Sequence, residues 1–104
     1  MPTNEELYDE ATRLKDQGEN EAAIAKLNEL LAQDEKYALA HSALAVLYTR
    51  VKQHDLAIKH AQRVCELEPN EAFSFTAMSV TYQRAGKIPE AEDAMARARM
   101  IQGH

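Results

Sequence analysis

Apolar residues of this chain recur at three- and four-residue steps, which is the spacing of one face of an α-helix. Two such runs lie between residues 38 and 71, with a polar connection at 52–54. The first run contains Leu44, Leu47, Tyr48 and Val51, and the second contains Ala57, Ile58, Ala61, Val64 and Cys65. Pro69 follows the second run and marks its end, because proline cannot continue a helix. Along the whole chain the pattern predicts six helices, at about 4–17, 21–33, 38–51, 55–68, 72–85 and 89–101.

The predicted helix ends carry their own local signals. Thr3 opens a Thr-Asn-Glu-Glu segment that predicts a capping box, and Pro89 suits the first position of the last helix. Gly18 and Gly86 occupy equivalent connections, where a residue in the left-handed conformation ends a helix at little cost. The middle connection has Lys52 instead, and a non-glycine residue in that conformation costs about 1–2 kcal/mol. We therefore expect the middle turn to differ from the other two.

The helical pattern repeats with a period of 34 residues. Leu-Ala-Val-Leu-Tyr at 44–48 corresponds to Met-Ser-Val-Thr-Tyr at 78–82. Alanine recurs in phase at Ala23, Ala57 and Ala91. The phase holds without insertion or deletion over three units, which are 4–37, 38–71 and 72–104. A fixed period of this length is typical of repeat architectures, in which each unit buries its apolar face against its neighbours.

Three in-phase helix–turn–helix units of this length resemble the tetratricopeptide repeat family over nearly the whole chain. Counted from the start of each unit, the family favours a small residue at position 8, Tyr or Leu at 11 and Ala at 20. Besides the three alanines at position 20, the matches are Ala11, Ala45 and Ser79 at position 8, and Leu14, Tyr48 and Tyr82 at position 11. Two departures are Glu10, where a large apolar residue is favoured, and Glu35, where proline is favoured. The resemblance implies an all-α, right-handed superhelical stack of three helix pairs, forming a single domain over 1–104.

Both ends of the predicted stack carry polar residues, as the terminal units of a repeat array require. Positions 3, 7, 10 and 14 of a first helix should lie against the preceding unit. In the first unit these positions hold Glu6, Glu10, Arg13 and Gln17. Positions 21 and 28 of a second helix should be covered by the following unit, and in the third unit they hold Glu92 and Arg99. We therefore expect a complete three-repeat domain with hydrated ends, which accounts for the departure at Glu10.

Composition narrows the classes of function. Twelve Lys and Arg against 17 Asp and Glu give a net charge of −5, which argues against non-specific binding to nucleic acid. The single cysteine cannot form an internal disulfide, and no apolar run approaches the roughly 20 residues that span a bilayer. The N-terminus lacks the pattern of a signal peptide. We therefore expect a cytoplasmic protein without membrane insertion or a nucleic-acid partner.

The sequence contains no recognisable catalytic or metal-binding pattern. It lacks a glycine-rich phosphate loop and the HExxH, CxxC and nucleophile-elbow motifs. His54 and His60 are six residues apart, which is not a metal-ligand spacing. His41 takes a core-type position, where a packed or partly exposed side chain is favoured, and Cys65 takes an inter-repeat position that favours a buried, unreactive thiol. We expect no enzyme activity, cofactor or metal.

The first helix of each pair lines the concave face of such a stack, and the resemblance implies that peptide ligands lie in that groove. The candidate groove residues are Tyr8, Thr12, Leu39, Ser42, Val46, Arg50, Phe73, Thr76, Val80 and Arg84. Contiguous exposed apolar area often marks a binding site, so we expect Tyr8 and Phe73 to anchor an extended or helical peptide. Arg50 and Arg84 suit an acidic residue or carboxylate. The alternative is that the apolar groove residues pack on one another.

The resulting prediction is a protein-interaction adaptor that binds a peptide or partner helix in the groove. Some family members hold the acidic C-terminus of chaperones through a carboxylate clamp of Lys, Arg and Asn. The five clamp positions here hold Tyr8, Thr12, Ala43, Phe73 and Ala77, so we expect no chaperone clamp. RNA binding, as in related helical repeats, is disfavoured because the groove is not basic.

Self-assembly through the end faces and the groove is the alternative function. The first unit has ten acidic and four basic residues, a net charge of −6, whereas the third has three acidic and four basic residues, a net charge of +1. An acidic head and a mildly basic tail favour weak head-to-tail contact between copies. The competing explanation is that the acidic end is simply solvated.

Overall fold

The computed structural model describes residues 1–103, and six α-helices account for most of this part of the chain. They are α1 (Asn4–Asp16), α2 (Asn20–Gln33), α3 (Ala38–Arg50), α4 (His54–Leu67), α5 (Ala72–Arg84) and α6 (Ile88–Gln102). Every predicted boundary lies within one residue of the observed one. The 34-residue period therefore predicted both the number of helices and their positions in the sequence.

The helices pack in the order in which they occur along the chain. α1 pairs with α2, α3 with α4 and α5 with α6, and each pair contacts the next through α2–α3 and α4–α5. α3 also contacts α5, so the first helices of the second and third pairs lie side by side. The stack measures 42 × 27 × 20 Å. The predicted all-α helical repeat stack is confirmed.

Small residues set the spacing of the helices. Ala23 and Ala57 are fully buried and Ala91 is 2% exposed, because a larger side chain there would force the paired helices apart. Leucines fill the space between the first two pairs, and the fully buried ones are Leu27, Leu30, Leu44 and Leu47. A second apolar cluster, around Cys65 and Phe75, joins the last two pairs.

The predicted capping box at the start of α1 is confirmed. The Glu6 backbone N–H donates to Thr3 Oγ1 at 3.1 Å, and the Thr3 N–H donates to Glu6 Oε1 at 2.9 Å. These reciprocal bonds satisfy donors that the first helical turn would otherwise leave free. Pro89 occupies the second position of α6 rather than the predicted first, because the helix begins at Ile88.

The middle turn does not differ from the other two, contrary to expectation. Lys52 adopts a left-handed φ of 64°, close to the 79° of Gly18 and Gly86. The hydrogen bonds also match: Gln53 N–H donates to the Tyr48 carbonyl at 2.8 Å, as the N–H after Gly18 donates to the carbonyl of Leu14 at 2.9 Å. Helix pairing across the turn imposes this geometry, and the packing offsets the local cost at Lys52.

Replacing Lys52 with glycine should therefore stabilise the protein. We expect Lys52→Gly to raise the free energy of unfolding by about 1 kcal/mol, since the left-handed conformation costs glycine nothing. The matched control is Gly86→Lys, which should lower it by a similar amount through backbone conformation alone, because a Cβ there meets no atom within 4 Å. Urea denaturation monitored by circular dichroism measures both changes. A loss of stability in Lys52→Gly would contradict this account.

Candidate peptide-binding surface

Four exposed apolar side chains lie on the neighbouring helices α3 and α5. Leu39 is 55% exposed and Val46 48% on α3, while Phe73 is 76% exposed and Val80 41% on α5. In each helix the two residues are seven positions apart, which places them on one face, two turns from each other. We call these four residues the apolar strip. All four belong to the predicted groove set, and they are exposed rather than packed into the core.

Tyr8, the predicted anchor on α1, is partly buried. Its ring packs against Tyr37, with ring centroids 6.0 Å apart and planes inclined by 49°. It also contacts the first apolar cluster. Part of Tyr8 therefore serves packing against a residue outside the predicted groove set, and Phe73 is the more accessible aromatic side chain.

The polar members of the predicted groove differ in how far they are engaged. Thr12 Oγ1 donates to the carbonyl of Tyr8 at 3.0 Å, and Thr76 Oγ1 donates to the carbonyl of Ala72 at 3.2 Å. Both hydroxyls are thus satisfied by their own helix one turn earlier. Ser42 is exposed and lies on α3 between the two strip residues of that helix.

The two groove arginines also differ. Arg50 Nη1 donates to the carbonyl of Lys15 at 3.3 Å and to Asn20 Oδ1 at 3.4 Å, so Arg50 ties the second helix pair to the end of α1. Arg84 is exposed, and its guanidinium has no hydrogen bond or ion pair within residues 1–103. Arg84 is therefore the groove cation that is available to an acidic ligand group.

Sequence reasoning missed a polar network beside the junction of the first two pairs. His41 is 4% exposed, which confirms the packed position expected for it. Its Nδ1 lies 2.9 Å from Nδ1 of His60, and its Nε2 lies 2.7 Å from the carbonyl oxygen of Glu35. Because a carbonyl can only accept, His41 Nε2 carries a proton; in the neutral pair His60 then donates to His41. Burial, and next the charges of His41 and Lys59, lower the pKa of His60 to about 4.

The same network contains a bidentate ion pair. Arg63 Nε and Nη2 donate to the two carboxylate oxygens of Glu35 at 2.6 and 2.7 Å, and Arg63 Nη1 lies 3.3 Å from Glu66. The hydrogen bond to Glu35 raises the pKa of Arg63, and the bond from Arg63 lowers the pKa of Glu35. The signal in the sequence was Glu35 itself, which stands where the repeat pattern favours proline.

Other chemistry-bearing groups are packed rather than assembled into a site. Cys65 is buried with its Sγ 3.8 Å from Met78 Sδ, and burial raises the pKa of its thiol to about 11, which keeps it protonated. Within residues 1–103 no group of three or more His, Cys, Asp and Glu side chains is arranged to hold a metal ion. None of the helices in that range has the length and apolarity to cross a bilayer.

Part of this chain is similar to a known repeat family. Residues 11–51 match the family described as TPR repeat, that is, tetratricopeptide repeat. No curated protein matches the chain. Among solved structures, MamA superposes with a TM-score of 0.88 at 23% identity, covering 97% of this chain and 59% of MamA. The chain thus spans less than two thirds of that relative.

Two further structures share the fold. YrrB, described as a TPR protein with an unusual peptide-binding site, gives a TM-score of 0.87 at 21% identity over 99% of this chain and 53% of its own. The second TPR of Spaghetti (RPAP3), bound to the HSP90 peptide SRMEEVD, gives 0.84 at 19% identity over 95% of this chain and 92% of its own. At these identities the likeness concerns the fold. Together with the TPR repeat match at 11–51, it shows that this chain has the fold seen in tetratricopeptide repeat proteins.

Proposed function

We propose that this protein is an interaction adaptor whose concave surface, formed by α1, α3 and α5, holds a peptide or partner helix through apolar side chains. The tetratricopeptide repeat fold is that of a protein-interaction module. The observation that carries the proposal is the apolar strip, because four large apolar side chains left exposed on adjacent helices favour a binding surface over a solvated one. The three units 4–37, 38–71 and 72–104 then act as one domain.

The spacing of the strip limits the ligand. Seven residues of helix rise about 10 Å, so the two apolar positions on each helix are about that far apart along its axis. An amphipathic helix presents side chains at positions i and i+7 with the same separation, and an extended peptide reaches it in about three residues. Both ligand forms suit the strip, and Phe73 is the central anchor in either case.

The ligand we propose is apolar rather than a chaperone carboxylate. The RPAP3 domain in the solved structure holds an acidic HSP90 peptide. In this chain the five clamp positions hold Tyr8, Thr12, Ala43, Phe73 and Ala77, which offer no cation and no amide donor. The guanidinium of Arg84 could also form an ion pair with a single acidic residue of the ligand.

A random-peptide selection against the protein provides ligands with which to test the surface. We expect Phe73→Ala to weaken binding of selected peptides by about 30-fold, in the range of an interface hot spot, and Tyr8→Ala to weaken it less. The matched control is Ile88→Ala on α6, where an apolar side chain 52% exposed lies outside the groove. Calorimetric titration measures the affinities. Equal affinity of the selected peptides for wild type and Phe73→Ala would contradict the proposal that they bind in the groove.

A further inference from the structure

The end face of the third helix pair contains an open depression of about 280 Å³, lined by Ser79, Gln83, Glu92, Met95 and Arg99. The hydroxyl of Ser79 is buried there without a hydrogen-bond partner. In the repeat phase this face corresponds to the surfaces that α3 covers on the first pair and α5 covers on the second. It therefore occupies the place of a junction surface, although two of its residues, Glu92 and Arg99, are charged.

The two internal junctions show how such a surface is covered. An amide at position 25 donates to the tyrosine hydroxyl at position 11 of the next pair in both cases: Asn28 to Tyr48 at 3.3 Å and Gln62 to Tyr82 at 2.9 Å. At position 28, Cys65 contacts position 7 of the next pair, Met78, at 3.8 Å. Later positions of the second helix thus meet earlier positions of the following first helix. By the same antiparallel order, position 21 lies near position 14.

The same order can be applied to a contact between the outer face of the first helix pair and the end face of the third pair in another copy. Arg99 at position 28 meets Glu10 at position 7 of a second copy, and Ala96 at position 25 meets Leu14 at position 11. Glu92 at position 21 lies near Gln17 at position 14. One oppositely charged pair, one apolar pair and one polar pair therefore replace the internal contacts.

We propose that copies of this chain stack head to tail, with α1 of one copy covering the α5–α6 end face of the next. Glu10, Arg13, Glu92 and Arg99 are all exposed in the single chain, where Glu10 and Arg13 pair only with each other at 3.4 Å. The net charges of −6 on the first unit and +1 on the third favour this orientation over head-to-head contact. Because exposed ion pairs contribute little individually, the association is weak and salt-dependent.

Sedimentation over a concentration series at low salt tests the stack on the full chain. We expect concentration-dependent association that disappears at about 1 M ionic strength, where the screening length is about 3 Å. Glu10→Arg and Arg99→Glu should each weaken it about tenfold, by losing one attraction and adding a repulsion. An equal mixture of the two variants should associate again, because every junction then joins opposite charges. Lys36→Glu, an exposed residue off both faces, is the charge-matched control.

Three results for the end-face contact would overturn the proposal, and a fourth, for the groove, would do the same. The first three are a monomeric wild type at every concentration in low salt, undiminished association of Arg99→Glu, and failure of the mixture to associate. Association that is lost in Phe73→Ala would instead place the contact in the groove and also overturn it. Peptide binding by Arg99→Glu reports on the groove separately, so failure of the stack leaves the groove assignment intact.

Discussion

Replacing Leu47 with alanine is expected to lower the free energy of unfolding by about 3 kcal/mol. Leu47 is fully buried in the cluster that joins the first two helix pairs. The substitution removes buried methyl groups and leaves a cavity that helices held on both sides cannot close. Chemical denaturation monitored by circular dichroism measures the loss. For a chain of this size such a change is a large fraction of the total stability.

Leu39→Ala is the matched control, since it is the same substitution on the same helix. Leu39 is 55% exposed, and we expect it to change the free energy of unfolding by less than about 0.5 kcal/mol. The pair of variants therefore separates the core face of α3 from its groove face. Similar losses in both would mean that Leu39 is packed, and the apolar strip would lose one of its four members.

Acidification from pH 7 to pH 5 is expected to destabilise the fold by about 1 kcal/mol through His60, because solvent partly screens this half-buried imidazole. In the unfolded chain this imidazole takes up a proton near its ordinary pKa of 6.5, whereas in the folded chain its pKa is lowered to about 4. The unfolded state then binds more protons, so the stabilisation is complete above pH 6.5 and is lost as pH falls toward 4. Thermal unfolding across this pH range measures it.

The groups around His60 set the conditions of this test. His41 and Lys59 disfavour a charge on His60, and the Tyr48 ring stacks on it with centroids 5.7 Å apart. The pKa of Glu35 is lowered from an ordinary value of 4.5, so Glu35 stays ionised between pH 7 and 5 and does not contribute to the slope. His60→Gln should flatten the dependence of stability on pH. A slope that persists in this variant would assign the effect to another group.

The 34-residue period predicted most of the fold because each unit packs two helices against each other and against the next unit in the same way. One error was the turn at Lys52, where the expectation used only the local cost of a left-handed residue. The geometry is in fact imposed by the pairing of α3 with α4, which a local rule does not contain.

Less of the candidate site than of the fold could be predicted from the sequence. Exposure of Phe73 and its strip neighbours followed from position in the repeat. The half-buried state of Tyr8 did not, because its partner Tyr37 lies outside the repeat positions that were considered. The contact of His41 with His60 and that of Glu35 with Arg63 join residues 19 and 28 positions apart, beyond the reach of any pattern within one helix.

The ion pair of Arg63 and Glu35 connects the first helix pair to the second. Its two short hydrogen bonds cross the junction between these pairs, which is the first joint of the stack. At the second joint Pro69 stands in place of Glu35, and the equivalent Arg97 turns to the Phe75 ring of its own pair, 5.2 Å from the ring centroid. That joint has no ion pair among residues 1–103. The first joint is therefore held partly by charge and the second by apolar contacts around Phe75, so added salt weakens the first joint more than the second.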